Sequence, residues 1–251
     1  MCIRDRYVHF MQRMSVLDLG ESLIDRKPVL GSILKYLPNT ICLTLAAMMI
    51  SILIAFPLGI MAAFKKSSFW EALALIYSAT GLAVPSFLLG ILLTIAFSVE
   101  WKLFPISGSG GAEFLVLPAL TLGISLGAFL TRMIRTVLNK ELQQPYVLLA
   151  RAKGLSNAQI YRQHIFKNAW IPIVTMIGLQ LGALLSGAII VESIFSWPGL
   201  GTLLITAIRQ RDFPMIQGTV LFMAVLYLLL NFLIDLSYPF INPRIGHDSD
   251  K

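Results

Sequence analysis

The residue types that most often perform catalysis or bind metal are scattered in this sequence. The three histidines, His9, His164 and His247, lie far apart, and Cys2 and Cys42 have neither a disulfide framework nor metal-site spacing. No Gly-x4-Gly-Lys-Ser/Thr stretch occurs, and no glycine is followed by lysine, so the chain lacks a phosphate-binding loop. We therefore predict no catalytic residues, no metal ligands and no nucleotide hydrolysis through such a loop.

The most informative polar pattern is a basic segment, residues 150–172, which reads ARAKGLSNAQIYRQHIFKNAWIP between two long apolar runs. Gly154 can adopt the left-handed conformation that ends a helix, and Ser156 suits the N-cap of the next helix. Gln159, three residues later, completes a capping box. The pattern predicts a helix, an elbow and a short second helix. The elbow is either an ordinary loop or a feature presented to a partner.

Composition indicates that membrane-spanning helices position this elbow. The 251 residues are 57% hydrophobic and only 13% charged, whereas a soluble domain is about 25% charged. This balance predicts an integral membrane protein. The net charge of +7 is explained by basic loops between apolar runs rather than by nucleic-acid binding.

Five apolar stretches without a charged residue approach or exceed the roughly 20 residues that a helix needs to cross a bilayer. They are residues 40–64, 72–99, 114–131, 169–191 and 213–234. The third is the shortest, and Pro57 and Pro85 are expected to kink the first two. The predicted fold class is all-α, a polytopic transmembrane bundle with five spans.

The distribution of Lys and Arg predicts the orientation, because short cytoplasmic loops are enriched in them. The loop at residues 132–168 carries seven, whereas the loops at 100–113 and 192–212 carry one and two. We therefore expect residues 132–168 and the C-terminus in the cytoplasm, and the other two loops outside.

Small residues recur every fourth position in the third and fourth predicted spans. They are Gly123 and Gly127 in the third span, and Gly178, Gly182 and Ser186 in the fourth. Residues at this spacing share one helix face and let helices approach closely. We interpret them as helix-packing positions, with a place along a pathway or against another subunit as the alternative.

A second distinctive segment, residues 192–218, reads ESIFSWPGLGTLLITAIRQRDFPMIQG. Trp197, Pro198 and Gly199 predict a turn, and the apolar positions of residues 202–209 predict a short amphipathic helix. Pro214 is expected near the start of the last span. The pattern alone predicts an external re-entrant turn.

At residues 150–172 the chain resembles the permease subunits of ABC importers, specifically the dipeptide, oligopeptide and nickel branch. The segment is similar to that branch's ARAKGLS…H…NA…P pattern, although Leu148 and Leu149 stand where the wider family has Glu and Ala. The resemblance implies a coupling helix that docks into a cleft of an ATPase subunit. The residues assigned to this coupling loop are Ala150, Ala152, Gly154, Ser156, Gln159, His164, Asn168 and Pro172.

Residues 192–218 are similar to the same branch's VE-x-(I/V)-FSWPGLG…RD(Y/F)P-x-(I/V)-QG pattern. The resemblance implies that this segment faces the substrate-binding protein and the mouth of the pathway. The residues assigned there are Glu192, Trp197, Pro198, Gly199, Gly201, Arg211 and Asp212. The resemblance extends over roughly residues 18–244.

The resemblance implies a non-enzymatic transport subunit that translocates peptides, nickel or nickel chelates across the inner or plasma membrane of a bacterium or archaeon. Implied partners are ABC ATPase subunits that bind ATP and Mg²⁺, a second and related permease, an extracytoplasmic substrate-binding protein and the lipid bilayer. No nucleic-acid partner is implied, and this chain itself is expected to bind no cofactor.

The family has six spans, so we expect a first span to be missing here. The expected organisation is an external-loop remnant at residues 1–37, a permease domain at 38–244 and a cytoplasmic tail at 245–251.

Two other function classes fit the sequence less well. A self-powered transporter or channel usually needs ionisable residues or broken helices near the bilayer centre, and the five spans carry no charge. A membrane enzyme needs a nucleophile with its base or a metal cluster, and neither pattern is found.

Overall fold

The protein is described here by a computed structural model that covers residues 12, 18–65, 68–108 and 110–241, apart from the side chains at 185–187, 235 and 237–241. Its helices, in order, are α1 (Val29–Phe64), α2 (Phe69–Ala83), α3 (Ser86–Thr94), α4 (Glu113–Leu142), α5 (Pro145–Ala152), α6 (Asn157–Ile160), α7 (Phe166–Gly187), α8 (Ile189–Ile194), α9 (Leu200–Gln210) and α10 (Phe213–Ile241). π-Helical turns at Ile95–Glu100 and Tyr161–Ile165 follow α3 and α6. The predicted all-α class is confirmed.

Helix α1 begins earlier than the sequence predicts. It starts at Val29, so residues 29–37 are helical although we assigned them to the N-terminal loop. Val29 and Ile33 are fully buried in a small apolar cluster with Leu200 and Met215, from α9 and α10. This first part of α1 is therefore stabilised by contact with protein, which a search for continuous apolar runs does not detect.

The second predicted span is broken rather than kinked. Helix α2 meets the segment Ser86–Glu100, which contains α3 and the π-helical turn after it, at an angle of 101°, and Val84 and Pro85 at the break are extended. Proline disfavours the helical conformation at the residue before it, which accounts for the break at Val84. The pair is thus a broken span or a re-entrant hairpin.

The third predicted span, expected to be the shortest, belongs to the 30-residue helix α4. Leu130, Ile134 and Leu138 are buried at intervals of four, so the packed face continues beyond residue 131. Arg132 and Arg135 lie between these positions and end the apolar run without ending the helix. The length predicted for this element was therefore wrong.

Three helices of the described residues are long and apolar enough to cross a membrane: α1, α4 and Phe213–Ile234 of α10. The bent pair α2–α3 makes a fourth if it forms one span. The fourth predicted span coincides with α7 and the start of α8. The bundle is confirmed, and the count of five spans stays a prediction.

Helices α1 and α4 form the centre of the bundle. A Cβ added to Gly123 would lie 2.7 Å from the Ile50 side chain and 2.9 Å from the Ala47 carbonyl oxygen, and one added to Gly59 would lie 2.8 Å from Ile134. The main apolar core extends from this contact to α6, α7 and α8. Helices α1 and α4 therefore approach each other closely, and their contact is the centre of the bundle.

Candidate functional site

The elbow predicted at Gly154 is present. Gly154 has φ +80°, and no atom lies within 4 Å of the position that a Cβ would take, so backbone conformation rather than space favours glycine here. The Gly154 N–H donates to the Arg151 carbonyl at 2.9 Å, and the Leu155 N–H donates to the Ala150 carbonyl at 3.3 Å. This pair of hydrogen bonds is the Schellman motif, which ends α5.

The predicted capping box begins the next helix. The Gln159 N–H donates to Ser156 Oγ at 3.4 Å, and the Ser156 N–H donates to Gln159 Oε1 at 3.0 Å. Helix α6 then continues through the π-helical turn into α7. The segment after the elbow is therefore one extended helical element, whereas we predicted a separate short helix.

Aromatic contacts fix this element to the end of α1. The Tyr161 ring stacks on Phe64 with 4.1 Å between centroids, and Phe166 meets the same ring edge-on at 5.7 Å. Ile160 and Ile165 are fully buried beside them. We did not predict Phe64 as a partner, and its position at the end of an apolar run gives no local signal.

The residues assigned to coupling fall into two groups. Ala152, Gly154, Ser156, Gln159 and Asn168 are exposed, whereas Ala150 is buried, and His164 and Pro172 are half-buried. The exposed members from 152 to 159 lie close together in the chain, on either side of the elbow. Their docking role stays a prediction.

Tyr146, on α5, lies beside the elbow and was not predicted. Its hydroxyl donates to Glu141 Oε2, and its ring lies 6.3 Å from that of His164. Burial, and then the hydrogen bond to Glu141, raise the pKa of Tyr146. The phenol therefore stays protonated and connects the end of α4 to the elbow.

Glu192 organises the opposite end of the molecule. Its side chain is fully buried; Oε1 accepts a hydrogen bond from Thr40 Oγ1 at 2.7 Å, and Oε2 accepts from the Gly201 N–H at 2.7 Å and the Thr202 N–H at 3.4 Å. Gly201 and Thr202 lie in the first turn of α9, whose N–H groups have no partner within the helix. Glu192 therefore caps α9 from the preceding helix α8, and its negative charge suits the positive end of the helix dipole.

Both glycines of the WPGLG stretch make room for this carboxylate. A Cβ on Gly199 would lie 2.2 Å from Glu192 Oε1, and one on Gly201 would lie 2.8 Å from Oε2 and 2.5 Å from the Ile189 Cα. Side chains of any size at these positions would displace the carboxylate.

The turn before α9 is also held by Asn39 and Thr40 of α1. The Trp197 indole N–H donates to the Asn39 carbonyl at 3.0 Å, and Asn39 Nδ2 donates to the Pro198 carbonyl at 2.8 Å. The Leu200 N–H donates to Thr40 Oγ1 at 2.8 Å. Asn39 and Thr40 are thus parts of the same network that the sequence analysis did not identify.

Asp212 forms a second anchor at this end. Its carboxylate, 2% exposed, accepts hydrogen bonds from Ser22 Oγ and, at 3.2 Å, from the Leu23 N–H. Arg211, next to it, is exposed and left-handed with φ +57°. Glu192 and Asp212 therefore point into the protein, whereas Arg211 faces outward. Their assignment to a pathway mouth stays a prediction.

The predicted small-residue rows lie at helix contacts. A Cβ on Gly127 would lie 2.6 Å from the Tyr77 hydroxyl, one on Gly178 would lie 2.8 Å from Ile234, and one on Gly182 would lie 3.0 Å from Tyr227. The row in α7 therefore packs against α10. The side chain of Ser186 lies outside the described residues.

The elbow and the Glu192 network contact α1 at positions far apart along the helix. Thr40 contacts Glu192 and Phe64 contacts the elbow, and the 24 residues between them correspond to about 36 Å of helix. The hydrocarbon core of a bilayer is about 30 Å thick. The two sites are thus far enough apart to lie on the two sides of a membrane.

Within the described residues, no group of three or more His, Cys, Asp or Glu side chains could hold a metal ion. The chemistry that the two ends offer is hydrogen bonding and surface complementarity.

The sequence was compared with protein families and curated proteins. Residues 55–247 match the family described as the binding-protein-dependent transport system inner membrane component. The glutathione transport system permease protein GsiC of Escherichia coli O6:H1 is 37% identical over 242 residues, which is 96% of this chain and 79% of that protein. The protein of the same name from Pectobacterium atrosepticum is 38% identical over 243 residues, with the same coverage.

Solved structures share the fold. The methionine ABC transporter MetNI, in an inward-facing conformation, superposes with a TM-score of 0.69 at 16% identity, over 84% of this chain and 96% of that one. An amino acid ABC transporter with histidines gives 0.67 at 20% identity, over 82% and 92% of the two chains.

Proposed function

The chain belongs to the family of binding-protein-dependent transport system inner membrane components and is the permease subunit of an ABC importer, and from this premise we propose that it imports short peptides or nickel chelates. It is a multi-pass protein of a bacterial membrane. The relatives named above are glutathione permeases, which favours a peptide over nickel as the cargo. Glutathione itself is a tripeptide and fits the proposed class.

The observation that carries the proposal is the elbow. Its exposed residues include a left-handed glycine and a capping box, and the helical element beyond them runs into α7 without interruption. A partner that moved these residues would move α7 directly, and would move α1 through the Tyr161–Phe64 stack. The elbow is thus connected to both α7 and α1, as is required if movement of a docked partner is to be transmitted to the bundle.

We further propose that the energy comes from separate ATPase subunits, which bind ATP and Mg²⁺ and dock on the elbow. This places residues 132–168 and the C-terminus in the cytoplasm; the tail at residues 245–251 lies outside the described residues. A second permease completes the pathway, and a substrate-binding protein docks at the end that carries the Glu192 network. The chain itself forms part of the pathway for the cargo and does not act as an enzyme.

Co-purification tests this proposal. The tagged full-length chain is extracted in mild detergent from its native membrane, and the proteins that accompany it are identified by mass spectrometry. We expect ATPase subunits with phosphate-binding loops and a second permease. In vesicles, uptake of labelled glutathione should require ATP inside and the binding protein outside. Recovery of the chain alone, with uptake that needs no ATP, would contradict the proposal and favour a self-powered carrier.

A further inference from the structure

A cavity of about 430 Å³ opens at the end of the molecule that carries the Glu192 network. It lies between residues 18–28, the first turns of α1 and one face of α9. Its volume is within the range of about 300–1,000 Å³ that is usual for small-molecule sites. The residues placed in coupling lie at the other end of α1, so this cavity is a separate feature.

The lining of the cavity contains three charged residues, of which Asp212 is buried and accepts hydrogen bonds from Ser22 and Leu23. The other two are Asp25, in the segment before α1, and Arg209, near the end of α9. Both side chains are exposed, and within the described part of the chain neither has an oppositely charged group within 4 Å. The cavity therefore offers one anionic and one cationic group that are free to bind a ligand.

Neutral polar groups also line the cavity. Ser193, Ser196 and Thr206 contribute hydroxyls, and Tyr36 contributes an aromatic ring with a phenolic group. Hydroxyls can both donate and accept, so they can satisfy the N–H and the C=O of a peptide bond. An apolar ligand would leave these groups unpaired.

The rim of the cavity is held in unusual backbone conformations. Arg26, Ser196 and Arg211 all have left-handed conformations, with φ of +57°, +51° and +57°. Ser196 lines the cavity, and the other two directly follow or precede residues that line it. Non-glycine residues keep such conformations only where their surroundings impose them, and such positions concentrate at ligand sites. The rim is therefore formed before any ligand arrives.

We propose that this cavity binds a short peptide with free termini, whose ammonium group pairs with Asp25 and whose carboxylate pairs with Arg209. The identification of the ligand as a peptide rests on the proposed function, whereas the requirement for both charges rests on the cavity alone. Arginine suits the carboxylate end because its guanidinium can form two parallel hydrogen bonds with a carboxylate. The cavity would receive cargo on the permease after the binding protein releases it.

The test uses the assembled permease–ATPase complex in nanodiscs, prepared without the binding protein, and three probes. These are alanyl-alanine, its N-acetylated form and its C-terminal amide, each titrated by calorimetry. We expect saturable binding of alanyl-alanine, weakened about tenfold when either terminus is blocked, because a hydrogen bond to a charged group is lost.

Matched variants then assign each terminus to its residue. In Arg209→Gln the C-terminal amide should bind as well as the free dipeptide. In Asp25→Asn the N-acetylated probe should bind as well as the free dipeptide. Both results are expected if the blocked terminus and the substituted residue belong to the same contact. Lys35→Gln removes an exposed charge from the same end, and Lys35 does not line the cavity. This variant should distinguish the free dipeptide from the two blocked probes as the wild-type protein does.

Absence of saturable binding, or unchanged discrimination in Arg209→Gln and Asp25→Asn, would overturn the proposal. Both residues are exposed, so we expect both variants to fold, and their melting temperatures verify this. If uptake is ATP-driven but both variants still distinguish the free dipeptide from the blocked probes as the wild type does, the cavity proposal is refuted and the proposed function is not. If no ATPase accompanies the chain, the proposed function fails, and titration of the purified full chain still decides whether the cavity binds both termini.

Discussion

The buried Glu192 leads to a prediction that the geometry makes quantitative. The Thr40 hydroxyl accepts a hydrogen bond from the Leu200 N–H, so its own hydrogen points to Glu192 Oε1, while Oε2 accepts from Gly201 and Thr202. All of these contacts need Glu192 as an acceptor. Glutamine at position 192 has the same shape but only one oxygen.

Glu192→Gln therefore leaves at least one buried donor without an acceptor. If the amide oxygen faces Gly201, the amide NH₂ faces Thr40, and the Thr40 hydrogen loses its partner. If the amide is reversed, the NH₂ opposes the N–H groups of α9. One unsatisfied buried donor costs about 1–3 kcal/mol. For a chain of this size, about 2 kcal/mol corresponds to a fall in melting temperature of roughly 4–8 °C.

Differential scanning fluorimetry of the purified protein measures the melting temperature, and hydrogen exchange of a peptide that covers residues 199–204 reports on the first turn of α9. Both the lower melting temperature and faster exchange are expected in Glu192→Gln. Glu100→Gln makes the same chemical change at an exposed position and serves as the control. A melting temperature equal to that of the control, or unchanged exchange at residues 199–204, would refute the capping role.

Four further predictions follow from the same structure. Gly154→Val should abolish ATP-driven uptake without preventing membrane insertion, because valine is strained at φ +80°; normal uptake in a complemented strain would contradict this. Ser156→Ala removes the cap and should cost about 0.5–2 kcal/mol locally, seen as faster hydrogen exchange in α6; unchanged exchange would exclude the cap. Gly123→Ala should lower the melting temperature, because its Cβ would meet Ile50 at 2.7 Å, whereas the control Gly31→Ala meets only Pro28, at 4.0 Å; equal melting temperatures would disprove this. Burial raises the pKa of Glu192 above its ordinary value of 4.5, and the hydrogen bonds from Thr40 and the α9 backbone oppose part of the rise. The folded state then binds more protons than the unfolded state between the two pKa values, so its stability should fall as pH rises from 4.5 through the folded pKa. Glu192→Gln should lack this loss, and a wild-type melting temperature that stays constant over the window would contradict the sign.

The elbow could be predicted from the sequence because its determinants are local. Gly154, Ser156 and Gln159 lie within six residues, and each acts on the backbone of its near neighbours. The left-handed conformation and the capping box were therefore predictable from residue type and spacing. What the elbow touches was not, because Phe64 lies almost a hundred residues earlier in the chain.

The Glu192 network shows the opposite case. An acidic residue directly after an apolar run is easily interpreted as a surface residue at a pathway mouth. Its acceptor role depends on Thr40, which is 152 residues away, and on the packing that brings α1 to α9. The early start of α1 was missed for the same reason, since Val29 and Ile33 are buried by residues of α9 and α10, which lie far away in the chain.

The position of the break between α2 and α3 was predictable from the sequence, but the size of the angle was not. Pro85 predicts a disturbance, because proline removes a hydrogen bond and restricts Val84. Whether a helix bends slightly or turns by 101° depends on the neighbours that satisfy the freed backbone groups. A single sequence does not specify those neighbours.

The hydrogen bonds that run from the Leu200 N–H through Thr40 to Glu192 also constrain how this protein can evolve. Loss of the acid leaves the Thr40 hydrogen without an acceptor, and loss of the hydroxyl leaves both Glu192 Oε1 and the Leu200 N–H unsatisfied. Positions 40 and 192 should therefore vary together among homologues, as one inherited unit, and an exchange at one should be tolerated chiefly where the other has already changed.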